Sequence, residues 1–298
     1  MNKIRIGTRG SALAVKQAQI IMDSLHEQYP ELEFEIVKIT TTGDKFLDVS
    51  LNKIGGKGLF IKEIEDALLK DEIDIAVHSM KDMPAFIHKS LTLAAYSKRE
   101  DASDCFINNM GCTLDEMPLN SVIGTSSLRR TVQILALRPD VNIVPLRGNV
   151  ITRLRKLDEG QMDGIILATA GVTRLGLEKR IIQRLPKDKF IPAVCQGIIG
   201  VETKKSNYKM LDILKSVDCI ESRISSLCER AFMKRLNGSC QIPLGALSHI
   251  QGDRINITGM LGDIANLNIY KETLEGAIDD AEKIGTRLAE TIISRLKK

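Results

Sequence analysis

Short runs rich in isoleucine and valine alternate along most of this chain with segments whose apolar residues recur at helical spacing. No other feature constrains the fold as much. From the amino end the pattern reads strand Ile4 to Ile6, then a helix from Ser11 to His26 with Leu13, Ala14, Ala18, Ile21 and Leu25 on its inward face, then strand Phe34 to Ile39. Strands are also read at Ile73 to Val77 and Leu91 to Tyr96. The grammar then repeats as Ser121 to Ile123, helix Leu128 to Leu137, strand Val141 to Leu146, helix Val150 to Leu157 and strand Gly164 to Ala168. Strands separated by crossover helices imply parallel sheets with right-handed connections. The last third breaks the pattern: a helix near Cys219 to Lys234, three runs suited to antiparallel strands (Ala246 to Gln251, Asn256 to Leu261, Leu267 to Glu272) and a helix from Ile278 to Leu296. A chain of 298 residues exceeds one hydrophobic core, so two or three domains are expected.

The segment Gly124 to Lys156 holds six arginines and one lysine against a single acid, Asp140. Arg129 and Arg130 follow the turn Gly124-Thr125-Ser126-Ser127, and Arg147 follows the run Val141 to Leu146. Both turns come where a strand ends, which is the ligand edge of an open α/β sheet. Arginine keeps its charge and offers a fork of donors matched to carboxylate or phosphate, so one reading is a site for a polyanion. The other is a solvated basic helix face. Aromatic residues are only 4% with no tryptophan, which is poor for stacking nucleobases, and the net charge of +4 is concentrated rather than striped. A discrete acidic metabolite therefore fits better than nucleic acid. The opening MNKIRIGTRG lacks the apolar region of a secretory signal, and the nearest approach to an apolar span, Phe190 to Val201, is broken by Pro192 and Gly197. A cytoplasmic protein without a membrane segment is expected. The six cysteines form no zinc-like spacing, so free thiols are expected and no metal site.

Two further places could carry chemistry. His78-Ser79-Met80-Lys81-Asp82-Met83-Pro84 sets a hydroxyl, an ammonium and a carboxylate just beyond a buried strand, with Pro84 fixing the exit. There Asp82 either serves as a proton-transfer or cation-stabilising group or simply caps a helix. His78 reads as structural. Cys240 lies in a turn-rich loop between a helix and a strand, with Arg230, Lys234 and Arg235 near enough in sequence to activate a thiol; a buried, inert cysteine is the alternative. The polar stretch Thr40 to Asn52 reads as a mobile surface loop.

Taken in order, these motifs resemble the porphobilinogen deaminase (hydroxymethylbilane synthase) family essentially end to end. The resemblance rests on I-G-T-R-G-S-x-L-A at the start, G-G-K-G-L-F at Gly55 to Phe60, H-S-x-K-D-M-P at His78 to Pro84, G-T-S-S-L-R-R, L-R-G-N-V-x-T-R-L, L-A-x-A-G-x-x-R-L and the Gly-rich Cys240 loop. It implies an α/β fold of two periplasmic-binding-protein-like (type II) domains flanking a cleft, plus a small C-terminal α+β domain with a three-stranded antiparallel sheet. The domains would span 1–97 with 198–217, 98–197, and 218–298. It also implies a transferase of tetrapyrrole (heme) biosynthesis, a monomer, that joins four porphobilinogen molecules head to tail. Ammonia is released each time, and the growing chain stands on a dipyrromethane primer held through a thioether to Cys240. The product freed by hydrolysis is hydroxymethylbilane. By the same resemblance Asp82 is the catalytic carboxylate, stabilising the azafulvene-like cation left by ammonia. Arg9, Ser11, Lys57, Ser79, Lys81, Thr125, Ser126, Ser127, Arg129, Arg130, Arg147, Arg153, Arg174 and Gln196 match cofactor and substrate binders. Lys57 lies at the edge of the expected mobile loop.

Two positions depart from the family pattern. Cys195 stands where glycine or alanine is expected, as a residue that would narrow the cleft or compete as a thiol, and Ser239 replaces the glycine before the cofactor cysteine. A function of another class also remains open at this point: a two-lobed receptor that closes on an anion without chemistry, which fold alone does not exclude. Asp82 and Cys240 discriminate, since a receptor has no use for either.

Overall fold

The structure, a computed structural model, describes residues 3–45, 61–237 and 242–296. Contacts divide the chain into two compact units, Met1–Glu100 with Ile198–Arg223, and Asp101–Gly197 with Ile224–Lys298. The first division falls in the charged stretch Lys98 to Asp101. Residues from Ile224 onward cluster with the second unit and 218–223 with the first, whereas the sequence reading sets 218–298 apart as a third domain. The physical reason is a shared core: Met260 packs with Val132 and Ile191.

In the first unit, strands β1 (Lys3–Arg9), β2 (Glu33–Ile39) and β3 (Ile75–Ser79) are parallel, with β1 between the other two. Beyond β3 the sheet continues with β10 (Ile199–Lys204) and then β4 (Leu91–Tyr96), giving the order β2-β1-β3-β10-β4. Alternation across the pleat explains why β3 is buried on both faces. Ile75 and Val77 join Ile4, Ile6 and the helix residues Ala18, Ile21 and Leu25 on one side. Ala76 faces Ile64, Ala67 and Leu68 of the helix Lys62–Leu69 on the other. Helix α1 (Ala12–Gln28) begins at Ser11, whose side chain accepts from the Ala14 N–H. Leu13 and Ala14, read as core, are only half-buried, and Gln17 takes a fully buried place on that face instead.

In the second unit, β6 (Val122–Gly124) lies parallel to β7 (Asn142–Val144) and β8 (Gly164–Ala168). The sheet then adds β5 (Asp104–Asn108) and β9 (Gln183–Arg184), in the order β7-β6-β8-β5-β9. Cys105, Ile107, Ile165 and Leu167 turn to one side, where Leu154 and Leu157 of the helix Val150–Asp158 close the core. Phe106, Ile123 and Ile166 turn to the other, against Ile134 of the helix Leu128–Leu137. The same unit holds the antiparallel sheet β11 (Leu244–Gln251), β12 (Arg254–Gly262) and β13 (Ile269–Ala277). It packs with the helices Ile220–Arg235 and Ala281–Leu296.

With the inserted strand (β10 in the first unit, β5 in the second) left out of the count, each five-stranded sheet runs second, first, third, inserted strand, fourth. This is the type II periplasmic-binding-protein arrangement, and the protein is an α/β fold with an additional three-stranded antiparallel sheet. The inserted strands correct the all-parallel expectation. β10 is antiparallel to β3 and β4, and β5 is antiparallel to β8 and β9. Each is the first strand after the chain crosses from one unit to the other, so it enters its sheet against the direction that βαβ crossovers maintain.

Candidate functional site

In both units the three adjacent parallel strands end at one edge, and the candidate residues gather there. In the first unit β1 ends at Arg9, ahead of Ser11, and β3 ends at Ser79, ahead of a 3-10 turn formed by Met80–Asp82. Met80 is fully buried; its N–H donates to the Ile198 carbonyl at 3.0 Å and its carbonyl accepts from the Met83 N–H at 3.2 Å. This locked turn leaves Asp82 exposed. The Asp82 carboxylate makes no hydrogen bond or ion pair among the described residues and caps no helix, which removes the capping alternative. Lys81 beside it is half-buried. Ser79 is held by a residue that the sequence reading missed: buried Gln17 donates to Ser79 Oγ at 2.8 Å and accepts from it at 2.9 Å. A glutamine on the apolar face of α1, in step with Ile21 and Leu25, was the available signal. His78 is buried, with Nε2 3.1 Å from Glu202 Oε2 on β10.

In the second unit the turns after β6 and β7 are stitched together. The Thr125 N–H donates to Val144 O at 2.9 Å, and Ser126 Oγ both donates to Leu146 O and accepts from Leu146 N–H, each at 3.0 Å. Thr125 Oγ1 accepts from the Ser127 N–H, and Ser127 caps the helix Leu128–Leu137. The three hydroxyls therefore shape the turn. Half-buried Arg147 makes no hydrogen bond or ion pair among the described residues. Arg153 donates through Nε to Gly148 O at 2.8 Å, and Arg174, ending the short helix after β8, donates to Gly197 O at 2.6 Å. The helices beginning at Ala12, Leu128 and Val150 carry no acid in their first turns, so the positive end of each dipole is left for an external anion.

Arg129 and Arg130 do not lie on a solvated helix face, which removes that alternative for this part of the basic run. Each side chain is buried and converges on Asp104 of β5: Arg129 Nη1 reaches Oδ2 at 2.8 Å, and Arg130 Nη2 reaches Oδ1 at 2.6 Å. Arg129 Nη1 also donates to Ile191 O at 2.6 Å, and Arg130 Nη1 donates to Ile166 O at 2.9 Å. Buried Gln196 adds an Nε2 bond to Asp104 at 3.2 Å. Burial alone would raise the Asp104 carboxyl, but the charges and hydrogen bonds of both arginines outweigh it and hold it well below the usual range.

Cys240 and Lys57, with the Gly55 to Phe60 motif, Ser239 and most of the Thr40 to Asn52 stretch, lie outside the described residues. The five other cysteines are free thiols. Burial pushes the thiols of Cys105 and Cys228 up to about 11 and about 12. Cys195 is fully buried, so the expectation that it competes as a thiol fails on access. Its backbone lies at φ +57°, which explains why glycine suits that position. Arg235, a candidate activator of Cys240, is paired with Glu290 at 3.0 Å. No group of three or more metal-ligating side chains occurs among the described residues. None of their helices is long and apolar enough to cross a membrane. Edge-placed arginines and acid-free helix starts form a donor set that fits a carboxylate-bearing cofactor.

Fold and site together define an α/β protein that presents cations and, at Asp82, a carboxylate without a partner among the described residues at the carboxyl edges of its strands. Residues 4–212 match the family model described as porphobilinogen deaminase, dipyromethane cofactor binding domain, and residues 223–294 match the porphobilinogen deaminase C-terminal domain. The porphobilinogen deaminase of Alkaliphilus metalliredigens is 46% identical over 295 residues, covering 99% of this chain and 93% of that one. That of Carboxydothermus hydrogenoformans is 46% identical over 293 residues, covering 98% and 94%. A periplasmic binding protein from Salmonella typhimurium aligns over 79% of this chain and 99% of its own at 12% identity and a TM-score of 0.42. The chain belongs to the porphobilinogen deaminase family, enzymes that polymerise porphobilinogen into a linear tetrapyrrole. The alternative of a receptor without catalysis finds no support among these relatives.

Proposed function

We propose that Asp82 is the catalytic carboxylate of this polymerisation and that the primer is held through a thioether to Cys240. The single observation that carries the first assignment is the isolation of Asp82. Buried Asp74, Asp104, Glu202 and Glu229 all have protein partners, whereas Asp82 stands exposed on a locked turn with none among the described residues. A carboxylate so placed stabilises the positive charge that develops as ammonia leaves, accepts from pyrrole N–H groups and passes protons between successive steps. The dipyrromethane, when bound, supplies the primer onto which pyrroles are added.

Each pyrrole brings an acetate and a propionate, so negative charge accumulates as the chain lengthens. Arg9, Arg147, Arg153 and Arg174 neutralise it, with Lys81 and Lys57 as further cations and Ser11, Ser79, Thr125, Ser126 and Ser127 as hydroxyl or backbone donors. Arg129, Arg130 and Gln196 serve from beneath, through Asp104. The protein works as a cytoplasmic monomer, with residues 218–298 as the domain that carries the cofactor cysteine.

The test is Asp82→Asn, read by turnover and by the intact mass of the denatured chain before and after peptide mapping. The expected result is a two-pyrrole addition on Cys240 with turnover lowered by about 10²- to 10⁴-fold. Near-normal turnover would remove the role of Asp82, and an addition elsewhere or nowhere would remove the tether.

A further inference from the structure

Glu229 lies fully buried on the helix Ile220–Arg235, beside Arg230 but with no part in the motifs read above. Among the bonds its two oxygens accept, three come from Ser248 and Cys195. Oε1 takes the Ser248 N–H at 2.8 Å and the Ser248 hydroxyl at 2.7 Å, which ties it to β11. Oε2 takes the Cys195 N–H at 2.6 Å. Cys195 is a non-glycine residue at φ +57°, a conformation that persists only where the surroundings enforce it. The two residues that follow reach the cations of the second unit. Gln196 donates through Nε2 to Ala102 O at 2.8 Å, Ser103 O at 3.1 Å and Asp104 Oδ1 at 3.2 Å, where Arg129 and Arg130 also end. Gly197 O accepts from Arg174 Nη2 at 2.6 Å.

We propose that Glu229 is a positioning residue: by holding the Cys195 N–H it enforces the left-handed turn that aims Gln196 at Asp104 and presents the Gly197 carbonyl to Arg174. The inference rests on the reading that Arg174 and the Asp104 cluster serve anion binding. Cys195 costs conformational energy where glycine would not, so this chain depends on the restraint more than a chain with glycine there.

The test uses the full chain as Glu229→Gln and as Glu229→Gln with Cys195→Gly. A glutamine has a single acceptor oxygen, so either Cys195 or Ser248 loses its partner. Three readouts are taken: hydrogen exchange of the peptide spanning 192–197, the KM for porphobilinogen, and the fraction of chains carrying attached pyrrole by intact mass. The expected result for E229Q is faster exchange in that peptide, a KM raised about tenfold with kcat changed less, and lowered pyrrole occupancy, the scale of one lost charge-assisted hydrogen bond. The added Cys195→Gly should recover most of the KM, because glycine adopts φ +57° without restraint. Unchanged exchange, or a lowered melting temperature with wild-type KM, would overturn the proposal, as would a KM defect that Cys195→Gly leaves untouched. Arg174→Leu runs alongside: a normal KM there removes the anion-binding reading, while the exchange result still decides whether Glu229 holds the turn. If E229Q does not fold, Ser248→Ala removes one hydroxyl donor from Oε1 and should give the same changes in weaker form, and no change would count against the proposal.

Discussion

Gly200 offers the sharpest test of how the Asp82 turn is held. It sits on β10 opposite His78, and a β-carbon there would lie 2.2 Å from Met80 Sδ, 3.0 Å from Met80 Cγ and 3.2 Å from Leu93 Cδ2. Ordinary contact begins near 3.4 Å, so the sulfur must retreat by 3.4 − 2.2 = 1.2 Å in Gly200→Ala. Methionine is adaptable, which keeps the stability cost toward the low end of overpacking, about 1–2 kcal/mol. The catalytic cost should be larger in proportion. Met80 opens the turn that ends at Asp82 and is fixed to Ile198 O and the Met83 N–H, so a shift at Met80 reaches the carboxylate directly. A displacement of about 1 Å at a reacting group costs up to about 10²-fold in rate. We therefore expect kcat to fall between about 10- and 100-fold with KM within about threefold, in a chain that remains folded. Initial rates of porphobilinogen consumption give both constants, and a urea titration gives the stability. Full kcat in G200A would refute the reasoning, because it would show that Asp82 tolerates a moved turn. A loss of rate explained wholly by the unfolded fraction would refute it as well.

Asp104→Asn should destabilise the second unit by about 3–5 kcal/mol at neutral pH, since it leaves two buried guanidinium groups without their carboxylate; urea unfolding measures it. The folded-state value of Asp104 lies below its ordinary value of about 3.9, so its contribution is present above that pH and is lost as pH falls through the folded value. The stability gap between the wild type and D104N should therefore hold down to about pH 4 and narrow only below it. With thiols pushed up to about 11 and about 12, Cys105 and Cys228 should be thiolate in only about one molecule in a thousand and one in ten thousand at pH 8, and should resist iodoacetamide until the fold is opened. Rapid alkylation of either in the native protein would contradict their burial.

How far the sequence was legible depended on how local the determining physics was. The helix Leu128–Leu137 and the strand Gly164–Ala168 carry their own periodicity and end signals, and they form over the residues read. β5 was passed over because Asp104-Cys105-Phe106-Ile107-Asn108 brackets a short apolar run with an acid and an amide, which resembles a loop until both polar ends are seen to be buried and bonded. β10 was hidden inside an apolar span whose turn at Cys195 no pattern announces. Strand direction is invisible to periodicity, so the antiparallel insertions could not be read at all. For the site, the placement of Ser11, Asp82 and Arg147 just past strand ends was legible, because a strand end is a local signal. The fates of Arg129 and Arg130 were not, because their partner is 25 and 26 residues away on another strand.

The Asp104 cluster reconciles a buried pair of arginines with an anion-handling role. Two guanidinium groups face one carboxylate, and the third member, Gln196, is neutral, so one positive charge is left over. Peptide carbonyls of Ile191 and Ile166 offset part of that surplus as dipoles and cannot cancel it. Water screens a surface arginine; a buried one projects its field with far less loss. The surplus lies on the helix Leu128–Leu137, whose acid-free amino end adds partial positive charge of the same sign. Under the proposed function this makes a fixed positive background, set by the fold. Each added pyrrole would then raise the demand on the edge arginines Arg147, Arg153 and Arg174, while Arg129 and Arg130 supply a constant share of the attraction from below.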